Sequence, residues 1–103
     1  MHNPSYYEAI LQLRPYNEDV VKFVLVQIKE RKNVFIAKEV KLKTGIDLYI
    51  SDQRFTQALG KKLKKRFKGK LIKSKKIHTV NRLTSKIVYR VTVCFRLDER
   101  KEN

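Results

Sequence analysis

Two kinds of side chain in this sequence can do chemistry. The first is a scattered set of acids. The interior carboxylates are Glu8, Glu18, Asp19, Glu30, Glu39, Asp47 and Asp52. An enzyme acting on nucleic acid would gather two or three of them around a divalent cation. Glu18 and Asp19 stand where a helix begins, and Asp52 stands before a second one, so capping is their ordinary role. Only Asp47 with Asp52, joined by Glu39, can converge as ligands. Cys94 and the two histidines, His2 and His78, fall short of a four-ligand zinc set. A lone cysteine forms no internal disulfide, which fits a reducing compartment. Cys94 alternates with Arg90 and Arg96, the cationic surroundings of a reactive thiol, but packing on a half-exposed sheet is its simpler role. The sequence has no phosphate-binding loop, no GxSxG and no spacing that recommends a Ser–His–Asp set. The expectation is no enzymatic activity, no metal, no cofactor and no small-molecule substrate.

The second kind is cationic, and it dominates. Residues 56–76, TQALGKKLKKRFKGKLIKSKK, contain no acid, and about every second residue is Lys or Arg. Over the whole chain 25 Lys and Arg face 10 Asp and Glu, a formal charge of +15. A small domain needs a magnitude of only roughly 2–8 for solubility. A heat-adapted surface would raise Glu together with Lys, so that explanation covers the lysines and leaves the imbalance. The excess charge points to a polyanionic partner, nucleic acid first. The longest mostly apolar run, Val20 to Ile28, is interrupted by Lys22 and is too short to span a bilayer. MHNPSYYE lacks the hydrophobic stretch of a secretory signal. A cytoplasmic protein with no membrane partner is expected.

Something must hold these cations in place, and the apolar residues show what. Their share of 42% is spread along all 103 residues, enough for one small core. One domain covering 1–103 is expected, ordered over about 5–98, with a flexible end at 99–103. Tyr6–Arg14 alternates as a strand, with Tyr7, Ala9, Leu11 and Leu13 on its apolar face. Pro15 stops it, Asn17 caps a helix, and Val20, Val21, Val24, Leu25 and Ile28 line the buried side. Val34–Lys41 and Ile46–Ser51 read as a hairpin around Lys43-Thr44-Gly45; one bent strand bulged at Gly45 is the alternative. Phe55, Leu59, Leu63 and Phe67 recur every fourth residue over 52–68, with Ala58 beside them and Gly69 as the stop. The basic run is therefore mostly one face of an amphipathic helix, with Lys62 and Arg66 snorkelling at the edge of the apolar stripe. Gly60 inside that helix suggests close approach to a neighbouring backbone. From Gly69 the pattern becomes β. Residues 69–80 lead through a turn near 81–86 into a last strand, where Ile87, Tyr89, Val91, Val93, Phe95 and Leu97 face one way.

The predicted fold is α+β. It is a two-layer α/β sandwich of ferredoxin-like type, βαββαββ, with two helices on one face of a mostly antiparallel sheet. If 34–51 is a single strand, the order becomes βαβαββ, as in Alba-like domains.

Three segments, YYEAILQLR, TGIDLYISDQRFTQALGKKLKKRFKGKLIKSKK and VYRVTVCFRL, together resemble one region of the nonsense-mediated mRNA decay protein three family. The resemblance runs from Tyr6 to Leu97 and is most specific at Gly45-Ile46-Asp47-Leu48-Tyr49, Ser74 and Tyr89-Arg90-Val91-Thr92. It implies association with the large ribosomal subunit late in its assembly. In eukaryotes that family acts as the nuclear export adaptor of the subunit, and archaea carry shorter relatives. The paired Cys-x-x-Cys zinc motifs of the family do not occur here, nor do its β-rich domains or export tail, so zinc binding and nuclear export are not implied.

Charge and resemblance together predict a non-catalytic RNA-binding module for the large ribosomal subunit or its rRNA, with ribosomal proteins as further partners. An Alba-like coat for DNA or RNA and a basic protein-interaction adaptor are the alternatives. The residues expected to meet RNA are Arg54, Lys61, Lys64, Lys65 and Lys68 on the second helix. Lys70, Lys73, Lys75, Lys76, Arg82 and Lys86 on the hairpin join them, with Arg90 and Arg96 on the last strand. Tyr6 and Tyr49 are expected on outer faces, where a base can stack; Tyr7 and Tyr89 are expected on core faces.

Overall fold

A computed structural model describes residues 6–81, 83 and 86–98. They form, in chain order, β1 (Ala9–Arg14), α1 (Glu18–Lys29), β2 (Ile36–Leu42), β3 (Gly45–Ile50), α2 (Gln53–Arg66), β4 (Gly69–Asn81) and β5 (Lys86–Leu97). Both helices start as the sequence predicts. The Asn17 side chain accepts from the amides of Asp19 and Val20, and Asp52 accepts from Phe55 N at 2.9 Å. Each cap satisfies amides that the first helical turn leaves without partners.

The sheet is mixed, in the order β2-β3-β1-β5-β4. Leu42 pairs with Gly45 across the two-residue turn Lys43-Thr44. The segment 34–51 is thus a hairpin, and the single-strand alternative with its Alba-like order is excluded. The bulge lies in β2, between Ile36 and Lys38. At Gly45, where φ is +156°, a Cβ would stand 2.0 Å from the Leu13 carbonyl oxygen, so no side chain is admitted.

The ferredoxin-like expectation needs correction at the carboxyl-terminal end. That arrangement would set β4 beside β1; here β5 takes the place, parallel to β1 from Ala9↔Val91 to Arg14↔Arg96. The other three pairings are antiparallel. The reason lies in the side chains each strand offers the helices. Val91, Val93 and Phe95 are fully buried and suit a central strand. Opposite them on β4 stand Lys75, Lys73 and Leu71, and a lysine-rich strand belongs at an edge, where it also discourages strand addition.

Ala9, Leu11 and Leu13 of β1, Ile46, Leu48 and Ile50 of β3, and the β5 trio form one apolar face. Val20, Val21, Val24 and Ile28 of α1, and Phe55, Leu59 and Leu63 of α2, close over it. Both helices therefore share one layer and the opposite sheet face is open. Burying a side chain of this kind contributes about 1.5–3 kcal/mol. Leu25 lies outside this core, 38% exposed, because the buried arc of α1 is filled by its valines and Ile28. Ala58 is exposed as well.

Strands β4 and β5 outrun the sheet. Only Val91–Arg96 of β5 pairs with β1, yet β4 and β5 continue together to Asn81↔Lys86. The result is a two-stranded ribbon projecting from the body, and the molecule measures 59 × 25 × 25 Å. The alternation of β5 persists along it with no helix above. Tyr89, expected in the core, is 39% exposed, as are Ile87 (46%), Ile77 (63%) and Val80 (53%). Ile77 pairs with Tyr89 and Val80 with Ile87, so the four share one face of the ribbon.

Candidate nucleic-acid interface

Helix α2 carries the densest charge, and its seat on the sheet decides where that charge points. Phe55, Leu59 and Leu63 are buried, and the ring of Phe67 meets Phe23 of α1 edge-on at 5.9 Å. Gly60 lets the helix press against its neighbours. A Cβ there would lie 2.9 Å from Val93 Cγ1 and 3.0 Å from Leu71 Cδ1, so the close approach is to side chains, not to backbone. With that side committed, Arg54, Lys61, Lys64, Lys65 and Lys68 are all exposed. Lys64, Lys65 and Arg66 also lie in the last turn, where cations complement the helix dipole. Lys62 and Arg66 are exposed as snorkelling requires, Lys62 donating to Gln27 Oε1 at 3.2 Å.

The strand cations divide between the two faces. Lys73 and Lys75 stand opposite Val93 and Val91, hence on the helix side. There Lys73 Nζ donates to Gln57 Oε1 of α2 at 3.0 Å, joining β4 to the basic side of the helix. Lys70 stands opposite Arg96, and Lys76 opposite Arg90, on the open face. Between these pairs lie Ile72 with Cys94 and Ser74 with Thr92. The expected residues therefore make two cationic surfaces, a broad one on α2 and the β4 edge and a smaller one on the open face. Arg82 and the side chain of Lys86 fall outside the described residues.

The acids do not gather. Asp47 bonds Arg14 Nη2 at 2.5 Å, with both side chains largely buried. Arg14 Nη1 also donates to the carbonyls of Leu13 (3.1 Å) and Ile46 (3.2 Å). Asp47 is thus committed to a structural partner on adjacent β1. Asp52 caps α2, roughly 17 Å along the chain from Asp47 at strand spacing. Glu39 stands opposite Leu48 while Asp47 stands opposite Val40, so these two acids leave opposite faces of the sheet. Glu8 accepts from Gln53 N at 2.9 Å and from the Tyr6 hydroxyl. No three His, Cys, Asp or Glu cluster among the described residues. A hollow of about 430 Å³ is lined by Asp19, Lys22, Phe23, Val26, Arg66 and Phe67, a lining with a single acid.

The tyrosines are rearranged. The chain bends at Glu8 before β1 begins, and the strand alternation fails there. Tyr7 consequently leaves the expected core face and meets Tyr49 edge-on, with ring centroids 4.8 Å apart. The guanidinium of Arg90 lies 3.9 Å from the centroid of the Tyr7 ring. Tyr6 turns to Glu8, and burial and this hydrogen bond raise its pKa from 10.0 to about 12. Sequence reasoning chose Arg90 and Tyr49 but missed Tyr7 and Arg14. It also missed the apolar stripe of the ribbon, which the length of the alternating run from Lys86, about twice that of β1, already signalled.

No curated protein matches the chain. The family model described as NMD3, second domain, matches residues 6–97, a span that takes in every strand and helix described above. The chain therefore belongs to the NMD3 family and corresponds to its second domain.

Proposed function

We propose that this domain is a non-catalytic RNA-binding module that seats on the large ribosomal subunit through its rRNA. Membership of the NMD3 family supports the ribosomal partner. The observation that carries the RNA contact is the cationic surface of α2 and the β4 edge, fixed over a rigid apolar layer. Structured RNA is recognised largely by shape and backbone, for which a rigid array of positive charge is suited. The Alba-like alternative loses its structural basis with the hairpin at 34–51.

The test is binding of the purified chain to isolated large and small subunits at several salt concentrations. If about five phosphates are neutralised, the logarithm of affinity falls against the logarithm of salt with a slope of roughly −4.5. A preference for the large subunit is expected together with that slope. Binding that ignores salt, or that fails for both subunits, rules the reading out. The apolar stripe of Ile77, Val80, Ile87 and Tyr89 favours an additional contact with a ribosomal protein, which would survive nuclease digestion of the complex.

A further inference from the structure

The open face of the sheet carries a second arrangement that phosphate contact by α2 does not explain. Backbone bonds pin Glu8 between two strands: its amide donates to Ile50 O of β3, and its carbonyl accepts from Val91 N of β5, each at 3.0 Å. Tyr7 is thereby held over the gap between these strands, with Tyr49 at one side and Arg90 at the other. Arg90 Nε is buried and finds no hydrogen-bond partner among the described residues, nor does Arg90 form an ion pair there. The guanidinium lies over the Tyr7 ring, and among the described residues no carboxylate is within ion-pair distance of it.

Two shallow hollows flank Tyr7. One, of about 290 Å³, is walled by Tyr7, Ile10, Thr92, Lys76 and Arg90. The other, of about 300 Å³, is walled by Tyr7, Tyr49, Ala37 and Lys38, and Lys38 Nζ lies 5.6 Å from the Tyr49 ring. Each combines an aromatic or aliphatic wall with at least one cation. A duplex offers no free base faces and does not fit hollows this small. An unpaired nucleotide supplies both a flat apolar base and a phosphate.

We propose that the open sheet face binds two consecutive unpaired nucleotides of RNA, one on either side of Tyr7. Their bases pack against the Tyr7 and Tyr49 rings, and their phosphates meet Arg90 and Lys76 on one side and Lys38 on the other. This inference rests on the RNA-binding reading above and adds a requirement for unpaired bases that α2 alone does not impose.

The test uses the full chain and two RNA hairpins, one fully paired and one carrying a two-uridine bulge. The bulged hairpin is expected to bind about tenfold more tightly, since stacking on aromatic rings is the source of the difference. Tyr7→Leu and Arg90→Lys should each bring the bulged hairpin close to the paired one, and Tyr7→Leu should leave the paired hairpin unchanged. Arg90→Lys keeps the charge and removes the planar stack. With 4-thiouridine in the bulge, irradiation of the wild-type protein should label Tyr7 or Tyr49, a readout that needs no variant to fold. If neither hairpin binds, the RNA-binding reading itself fails. If both bind equally, or the label falls only on α2, this inference alone is overturned. Competition by poly-glutamate for the bulge-dependent increment, with paired binding untouched, would assign the hollows to an acidic peptide and also overturn it.

Discussion

The Tyr6 hydroxyl donates to Glu8, and Glu8 in turn accepts from the first amide of α2 at 2.9 Å. This one carboxylate links the approach to β1 with a helix amino end. The Tyr6 pKa, raised from 10.0 to about 12 by burial and this bond, makes a directional statement about stability. The unfolded chain releases the phenolic proton first, so the stabilisation is complete below pH 10 and declines as pH rises towards 12. Urea unfolding of Tyr6→Phe and the parent between pH 8 and 12 should show the parent losing more stability than the variant above pH 10. Parallel curves would remove the linkage. Asp47 makes a second prediction at this scale. Asp47→Ala leaves the Arg14 guanidinium largely buried without its carboxylate, and unfolding should show a loss of about 2 kcal/mol. Asp47→Asn, which retains an acceptor, should lose less.

At the scale of elements, α2 and the strands it crosses form a single packing problem. Gly60 adjoins Val93 and Leu71, where an added Cβ meets side chains that must shift. Alanine there gains about 1 kcal/mol of helix propensity against some crowding. Gly60→Val gains less propensity and adds two branches, so a loss of about 2 kcal/mol in urea unfolding is expected. The elements were largely legible in the sequence because their signals are local. Asn17 and Asp52 cap within three residues of themselves, the α2 stripe repeats every fourth residue, and Lys43-Thr44-Gly45 reads as a turn between two apolar runs. The place of β5 was not legible in the same way. Alternation shows that Val91, Val93 and Phe95 share a face, but nothing within 86–97 says which strand lies alongside. That depends on how many lysines β4 turns towards the helices, a comparison between strands. Tyr7 was misplaced for a smaller reason: a bend at Glu8 interrupts the alternation and puts Tyr7 on the other side of the sheet.

Over the whole molecule, charge is arranged on two surfaces separated by an apolar layer, and they can be tested independently. Reversing Lys64 and Lys68 to Glu on α2 should weaken binding to large-subunit RNA by more than tenfold. Reversing Lys70 and Lys76 on the open face should weaken it less. All four side chains are exposed, so thermal unfolding should move little in either variant. Equal losses from both pairs would mean that charge is sensed only as a total. The candidate interface was half legible on these grounds. Lysine and arginine counts identified the surface chemistry, but assignment to faces needed the register of β4 against β5, in which Lys70 and Lys76 turn one way and Lys73 and Lys75 the other.

The insertion of β5 between β1 and β4 also dictates a timetable during synthesis. Until synthesis has passed Lys86, β1 has only β3 for company and β4 has no companion strand at all. A slot one strand wide stays vacant in the middle of the sheet, bordered by unpaired amides and carbonyls on both sides. Long-range closure of this sort is slow, and the last strand of this domain to be made is the one that permits it. A translation product arrested before Lys86 should be protease-sensitive throughout, and a synthetic peptide matching 86–97 should restore its resistance in trans.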